Sequence, residues 1–200
     1  MLAGLDYDKR VDAGKRVEKK ILDALRSKGI KIEDPTSSQD MIDKIDGWWP
    51  GKNGQKYPVQ VKFRQSGNDI LFEVVKDFYR NIPGRDMKSK SVLYLVSDKT
   101  GKTRLYHTDV IKKKAQEVLK IVQDDLKQNP RQDRWSGSGW EAKMQYDASN
   151  GNKKLMAYFN SNSFNTLATW DLDIYETIVK EFLKEEIRLV IKEFVDKIYR

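Results

Sequence analysis

The sequence contains no cysteine and only one histidine among its 200 residues. Without thiols the chain has neither a disulfide framework nor a thiolate metal site. A single histidine also argues against a histidine-rich zinc site and against a Ser-His-Asp triad. A metal ion bound by this chain would therefore be held by oxygen ligands.

Long apolar runs are absent as well. No stretch approaches the roughly 18 consecutive apolar residues of a membrane-spanning helix. The segment from Met1 to Asp6 has neither the basic region nor the apolar run of a signal peptide. We therefore expect a soluble, cytoplasmic protein that has no membrane partner.

Charge and aromatic residues are plentiful. Charged residues make up 34% of the chain and aromatic residues 10%, a composition that favours an ordered, highly charged globular protein over a disordered one. The net charge of +8 is compatible with a polyanionic partner, because Lys and Arg neutralise phosphates and release counterions.

The hydrophobic pattern predicts an α/β fold. Helical periodicity covers 7–28 and 108–128, with Gly29 ending the first helix and Thr108 capping the second, and strands are predicted at 57–64, 69–75, 91–96 and 103–107. Strand 91–96 is almost wholly apolar and is predicted to be central and covered on both faces. Beyond a loop at 128–140 we expect a β-hairpin over 142–159 and a long helix over 171–200. We expect 1–128 to form the core and 129–200 to pack on it, within one domain.

The strand predicted at 57–64 alternates apolar and polar residues, so one of its faces is apolar and the other polar. By itself this pattern describes a half-buried strand whose polar face meets solvent. A hairpin signal at 50–54 would pair it antiparallel with 41–49 and bring Asp46 close to the polar face. That face carries Gln60, Lys62 and Arg64.

These residues could hold and use a hard metal ion. Mg²⁺ and Mn²⁺ take oxygen ligands, which the Asp46 carboxylate, the Gln60 amide and the Val61 peptide oxygen could supply. Lys62 would then lie beside the metal, where an ammonium group can orient or help deprotonate an attacking water. Asp43 is the alternative to Asp46, since on an extended strand the two point to opposite faces.

The order of these residues resembles the signature of the PD-(D/E)xK nucleases, the restriction-endonuclease-like superfamily. The signature reads here as Asp46, thirteen further residues and then Gln60-Val61-Lys62. Glu18 matches the glutamate that members often carry on the preceding helix, although a solvated helix-face carboxylate is the alternative. Glutamine replaces the usual acid, and the resulting Val-Gln-Val-Lys strand resembles the Mrr-like branch.

The resemblance covers about the first 125 residues. It implies a restriction-endonuclease-like core (helix, mixed central sheet, helix), here followed by a C-terminal β-hairpin and long helix, and a Mg²⁺- or Mn²⁺-dependent deoxyribonuclease. It also implies catalytic roles for Glu18, Asp46, Gln60 and Lys62, with the metal held by Asp46, Gln60, Val61 and Glu18. Gln60 removes one negative charge from such a metal site, which makes Glu18 more important.

A second set of residues could contact DNA. Trp135 and Trp140 flank a Ser/Gly segment, and with Arg134 and Arg64 they could stack on bases and bind phosphates. Alternatively, the two tryptophans anchor their loop to the core. These residues also define a second functional hypothesis, a catalytically inactive, nuclease-fold module that binds nucleic acid through its basic surface and this loop. The apolar stripe of the C-terminal helix either packs on the core or forms a homodimer seam.

Overall fold

The computed structural model describes residues 3–64, 69–147 and 151–174 and shows a mixed α/β architecture, which confirms the predicted α/β class. Its helices are α1 (Ala3–Ser27), α2 (Arg85–Lys88) and α3 (Thr108–Gln128). Its strands are β1 (Gly47–Pro50), β2 (Lys56–Arg64), β3 (Asp69–Asp77), β4 (Ile82–Pro83), β5 (Leu93–Asp98), β6 (Lys102–His107), β7 (Arg134–Gly137), β8 (Trp140–Asp147), β9 (Asn152–Asn160) and β10 (Ala168–Asp171). None of these helices is long and apolar enough to cross a lipid bilayer.

The first sheet is mixed and has the order β1-β2-β5-β6-β10. β1 and β2 form the predicted antiparallel hairpin, in which Gly47 lies opposite Val59. β2 and β5 run parallel and place Gln60 beside Tyr94. β5 is buried along its whole length, as predicted for a central strand covered on both faces.

The second sheet is antiparallel throughout and has the order β4-β3-β9-β8-β7. β3 follows β2 in the chain but pairs with β9, so Phe72 lies opposite Ala157. Residues on both sides of position 128 thus share one sheet, and backbone hydrogen bonds join the C-terminal hairpin to the preceding part of the chain.

Two apolar clusters hold these layers together. The first lies between α1 and the first sheet, and the second joins the opposite face of that sheet to the second sheet and α3. Side-chain alternation along β5 serves both clusters, because Leu95 points into the first and Tyr94 into the second. The first cluster includes Val17, Ile21, Leu25, Val59, Val61, Leu93, Leu95 and Leu105, and the second includes Ile70, Phe72, Tyr94, Tyr106, Ile111, Val118, Trp135, Trp140 and Phe159.

Helix α1 ends where the sequence predicts. Gly29 has a φ of +89°, a left-handed conformation that glycine adopts without steric cost. The N–H of Ile30 then donates to the carbonyl of Leu25 at 3.2 Å, which satisfies one of the last helical acceptors. The apolar stripe of the helix is thereby held against the first sheet up to its final turn.

Several local predictions were wrong. Residues Gln39–Asp43 form a short π-helix, so the strand expected over 41–49 begins only at Gly47. His107, not Thr108, occupies the N-cap position of α3. The expected helix over 171–200 does not begin at Asp171, because Ala168–Asp171 is strand β10 paired with β6. Residues 175–200 lie outside the described residues, so their helix and homodimer seam stay predictions.

The close contact of α2 with β3 depends on Gly84. The Gly84 N–H donates to the Val74 carbonyl at 2.9 Å, and a Cβ at this position would overlap the Glu73 carbonyl oxygen. We expect Gly84→Ala to destabilise the protein by about 2–3 kcal/mol, because the backbone must shift to admit the methyl group. Urea unfolding measures this change.

Gly14→Ala is the matched control. A Cβ at Gly14 meets no atom within 4 Å, and the residue lies inside α1. Because alanine favours the helix more than glycine does, this variant should gain about 0.5–1 kcal/mol. Equal unfolding midpoints for the two variants would show that the α2–β3 contact tolerates a side chain.

Candidate active site

Glu18 is placed at the border of the buried face of α1. Its neighbours Val17 and Ile21 are fully buried against the first sheet, whereas the Glu18 side chain remains 22% exposed. This position follows from helical spacing, because a residue beside the apolar stripe points along the edge of the contact. The carboxylate therefore reaches the edge of the sheet beneath the helix.

Asp46 lies directly before β1 and is anchored to β2 at two points. Its N–H donates to the Val59 carbonyl at 2.8 Å, and its Oδ2 accepts the Val61 N–H at 2.6 Å. β1 pairs with β2 only as far as Val59, so the Asp46 side chain bonds the next outward-facing N–H. The N–H and C=O of a strand residue leave on the same side, so the Val61 carbonyl also faces this edge.

Lys62 completes the group. Its Nζ lies 4.0 Å from Oε1 of Glu18, and its side chain is 18% exposed. The structure thus brings together three of the residues singled out from the sequence, Glu18 on α1, Asp46 directly before β1 and Lys62 on β2. The β1–β2 hairpin brings Asp46 close to Lys62, and the packing of α1 on the sheet adds Glu18, which is distant from both in the chain.

Burial leaves the two carboxylates with more negative charge than their surroundings favour. Burial, helped by repulsion from the nearby Asp46, raises the pKa of Glu18 to about 7 against the opposing effect of Lys62. Burial also raises the pKa of Asp46, while Lys62 and the Val61 N–H act in the opposite direction. The cations Lys62 and Arg85 only partly compensate two desolvated carboxylates, and an additional cation would stabilise both.

Gln60 is held differently from the other predicted residues. Its side chain is only 1% exposed, and its Nε2 donates to Oδ1 of Asp86 at 3.0 Å. Its Oε1 is buried and has no hydrogen-bond partner among the described residues. Gln60 therefore presents one free acceptor, and its donor is committed to Asp86.

Asp86 is the residue that the sequence reasoning missed. Its side chain is 2% exposed, and its second oxygen accepts the Glu73 N–H at 2.7 Å. Glu73 in turn accepts the N–H of Arg85 at 2.8 Å. Asp86 lies 26 residues after Gln60 in the one-turn helix α2, and no periodicity or spacing in the sequence marks it.

The available donors fit a hard divalent cation. The carboxylates of Glu18 and Asp46, the Val61 carbonyl and the unpartnered Gln60 Oε1 are all oxygen, as Mg²⁺ and Mn²⁺ prefer. Within the described ranges, no group of three or more Asp, Glu or His side chains is placed to hold a metal ion. Metal binding here would thus depend on two carboxylates together with neutral oxygens and waters.

A cleft of about 270 Å³ opens beside Glu18 and Asp46. Lys15 and Asp40 also line it and form an ion pair of 3.1 Å. Asp40 is thus close to the two carboxylates, and it adds to the repulsion that raises the pKa of each. The cleft gives a ligand access to the otherwise buried carboxylates.

The sequence left Asp43 open as an alternative to Asp46. In the structure Asp43 forms an ion pair with Lys90, with 2.8 Å between Oδ1 and Nζ. Asp46, in contrast, bonds the Val61 N–H beside Lys62. The geometry therefore favours Asp46 as the carboxylate of this site.

The two tryptophans predicted to contact DNA are buried in the structure. The segment around Trp135 and Trp140 is not a flexible loop but the β7–β8 hairpin, and the two side chains are only 7% and 8% exposed. Trp135 also donates its Nε1–H to Asp125 at 2.8 Å. Base stacking by these rings would require them to leave the core, so the anchoring alternative describes them.

The two arginines remain DNA-contact predictions. Arg134 is exposed on β7. The guanidinium of Arg64 lies 5.9 Å from the centroid of the Tyr158 ring, close enough for a cation–π contact.

Replacing the Glu18 carboxylate should stabilise the metal-free protein at alkaline pH. The folded pKa of about 7 lies above the ordinary glutamate pKa of 4.5, so wild-type stability falls as pH rises between these values. We expect Glu18→Gln to be about 1–3 kcal/mol more stable than the wild type at pH 8, and the difference to vanish near pH 4. Urea unfolding in chelator at several pH values measures this.

The control for Glu18→Gln is Glu117→Gln, at an exposed glutamate of α3 paired with Lys114. Its substitution should change stability by no more than about 0.5 kcal/mol at either pH. A stability difference for Glu18→Gln that does not depend on pH would contradict the raised pKa.

No known family, curated protein or solved structure matches the chain in comparisons with known proteins.

Proposed function

We propose that the protein is a divalent-metal-dependent deoxyribonuclease that hydrolyses phosphodiester bonds at the site formed by Glu18, Asp46 and Lys62. The observation that carries the proposal is the meeting of these three side chains at one edge of β2. They occur in the order that the PD-(D/E)xK resemblance implies. We propose further that α1, the β1–β2 hairpin, β5, β6 and α3 form a restriction-endonuclease-like core.

Each of the three residues has a distinct role in this proposal. Lys62 orients the attacking water and offsets the negative charge that develops on the phosphate in the transition state. Asp46 and Glu18 supply the anionic oxygens that hold the metal, and the hydrogen bond from Val61 fixes the orientation of the Asp46 carboxylate. A bound Mg²⁺ or Mn²⁺ would supply Lewis acidity toward the scissile phosphate.

The surroundings suit a phosphodiester substrate. The cleft beside Glu18 and Asp46 is lined by Lys15 and Lys19, which can contact phosphates that flank the scissile one. The net charge of +8 favours the approach of a polyanion. The burial of Trp135 and Trp140 does not favour the alternative, in which an inactive module binds nucleic acid through these two rings.

Cleavage assays test the proposal directly. Purified protein is incubated with supercoiled plasmid, linear duplex, single-stranded DNA and single-stranded RNA, each with Mg²⁺, Mn²⁺ or chelator. We expect cleavage of DNA that requires a divalent metal and that is lost in chelator. Salt-sensitive DNA binding without cleavage in any metal would contradict the proposal and favour the inactive module.

A further inference from the structure

The Gln60 amide is oriented by a neighbour that can only accept hydrogen bonds. Oδ1 of Asp86 accepts Nε2 of Gln60 at 3.0 Å, and Oδ2 of Asp86 accepts the Glu73 N–H at 2.7 Å. A carboxylate offers no donor, so the amide must present its nitrogen to Asp86 and direct its oxygen elsewhere. The orientation of Gln60 is therefore set by Asp86.

The oxygen directed away from Asp86 is buried and has no partner among the described residues. A buried acceptor without a partner destabilises the fold, so its presence calls for a ligand or a functional reason. Gln60 and Lys62 are two residues apart on β2 and lie on the same face of the sheet. The free oxygen thus belongs to the face that carries the lysine.

Asp86 also places a negative charge beside Gln60, which is itself neutral. Its side chain is buried, and the guanidinium Nε of Arg85 lies 3.9 Å from its Oδ1. Arg85 is half exposed, so solvent screens part of its charge. The Gln60–Asp86 pair therefore combines a neutral ligand with a charge one hydrogen bond away.

We propose that Asp86 is the positioning residue of the site: it holds the Gln60 amide with its oxygen free for the metal ion, and it supplies beside that amide the negative charge that a glutamine cannot carry. The inference rests on the proposed function, because it assigns the ligand to a divalent metal. It predicts that substitutions of Asp86 and Gln60 have coupled effects on metal affinity and stability, and that the negative charge can be moved from one residue to the other.

The test exchanges the charge between the two residues. Wild type, Asp86→Asn, Gln60→Glu and the double variant are compared for Mn²⁺ affinity by titration calorimetry without DNA, and for metal-free stability by urea unfolding. Asp86→Asn should weaken Mn²⁺ binding about 10–100-fold, because the new amide lets Gln60 turn and removes the charge. Gln60→Glu should destabilise the metal-free protein, because it places two buried carboxylates in contact.

The double variant should recover both properties. An asparagine at 86 can donate to a glutamate at 60, so we expect stability close to wild type and Mn²⁺ affinity within about threefold of it. Asp77→Asn is the matched control, since Asp77 is a buried aspartate at the end of β3 that accepts the Arg80 N–H. Its Mn²⁺ affinity should equal that of the wild type.

The outcomes separate this inference from the proposed function. A folded Asp86→Asn variant that binds Mn²⁺ like the wild type, or a double variant no better than Gln60→Glu, overturns the positioning role alone. A wild-type protein that binds no Mn²⁺ overturns the proposed metal-dependent function and this inference with it.

Discussion

Lys62→Ala is expected to lower the rate of metal-dependent DNA cleavage about 10³-fold and to leave Mn²⁺ affinity unchanged or higher. The two effects differ in direction because Lys62 is a cation beside the carboxylates of Glu18 and Asp46 and cannot be a metal ligand. Removing its ammonium group leaves the carboxylates free to attract the metal more strongly. Single-turnover cleavage and Mn²⁺ titration on the same preparation measure the two quantities.

The control for Lys62→Ala is Lys102→Ala, at an exposed lysine on β6 of the same sheet. It removes the same charge from the protein as a whole, so a general loss of electrostatic attraction for DNA would appear in both variants. We expect Lys102→Ala to cleave within about threefold of wild type. Metal-dependent cleavage that survives Lys62→Ala would remove Lys62 from the site.

Asp46→Asn is expected to weaken Mn²⁺ binding about 100-fold and to reduce cleavage about 10³-fold while the protein stays folded. The asparagine oxygen can still accept the Val61 N–H, so only the charge of the carboxylate is lost. We expect the free energy of unfolding to change by less than about 1 kcal/mol, since a neutral acceptor replaces a charged one. Mn²⁺ affinity is measured by titration, the cleavage rate by single-turnover assay and the free energy of unfolding in urea, all on the same preparation.

Comparison of Asp46→Ala with Asp46→Asn separates the contribution of the hydrogen bond to Val61 from that of the carboxylate charge. It leaves the Val61 N–H without its acceptor and should cost about 1–3 kcal/mol more than the asparagine variant. Asp43→Asn is the control for position, because Asp43 pairs with Lys90. If Asp43→Asn abolished cleavage and Asp46→Asn did not, the choice between the two aspartates would be reversed.

The sequence predicts the hairpin and the three site residues because local signals specify them. The turn at 50–54 and the alternation along β2 place Asp46 near Lys62, and helical spacing places Glu18 on the border of a buried face. The role of Asp86 has no local signal. It arises because Gly84 lacks a side chain and lets α2 approach β3, a contact between residues distant in the chain.

The β7–β8 hairpin lies where the Ser/Gly composition predicts a loop. Ser and Gly between two tryptophans suggest a flexible loop, yet two residues, Ser138 and Gly139, suffice to connect paired strands. Gly139 has a φ of +73°, which such tight turns require. The tryptophans then face the core, because both lie on the buried face of two paired strands that alternate inward and outward.

Because β1 is short, it leaves part of the edge of β2 unpaired. A strand edge with free N–H groups is a template on which another chain can add a strand, and proteins commonly protect such edges with charged side chains. β1 covers β2 only to Val59, and from there the Asp46 carboxylate occupies the next N–H while Glu18 and Lys62 place charges beside it. The groups proposed to cut DNA thus also guard the fold against intermolecular strand addition.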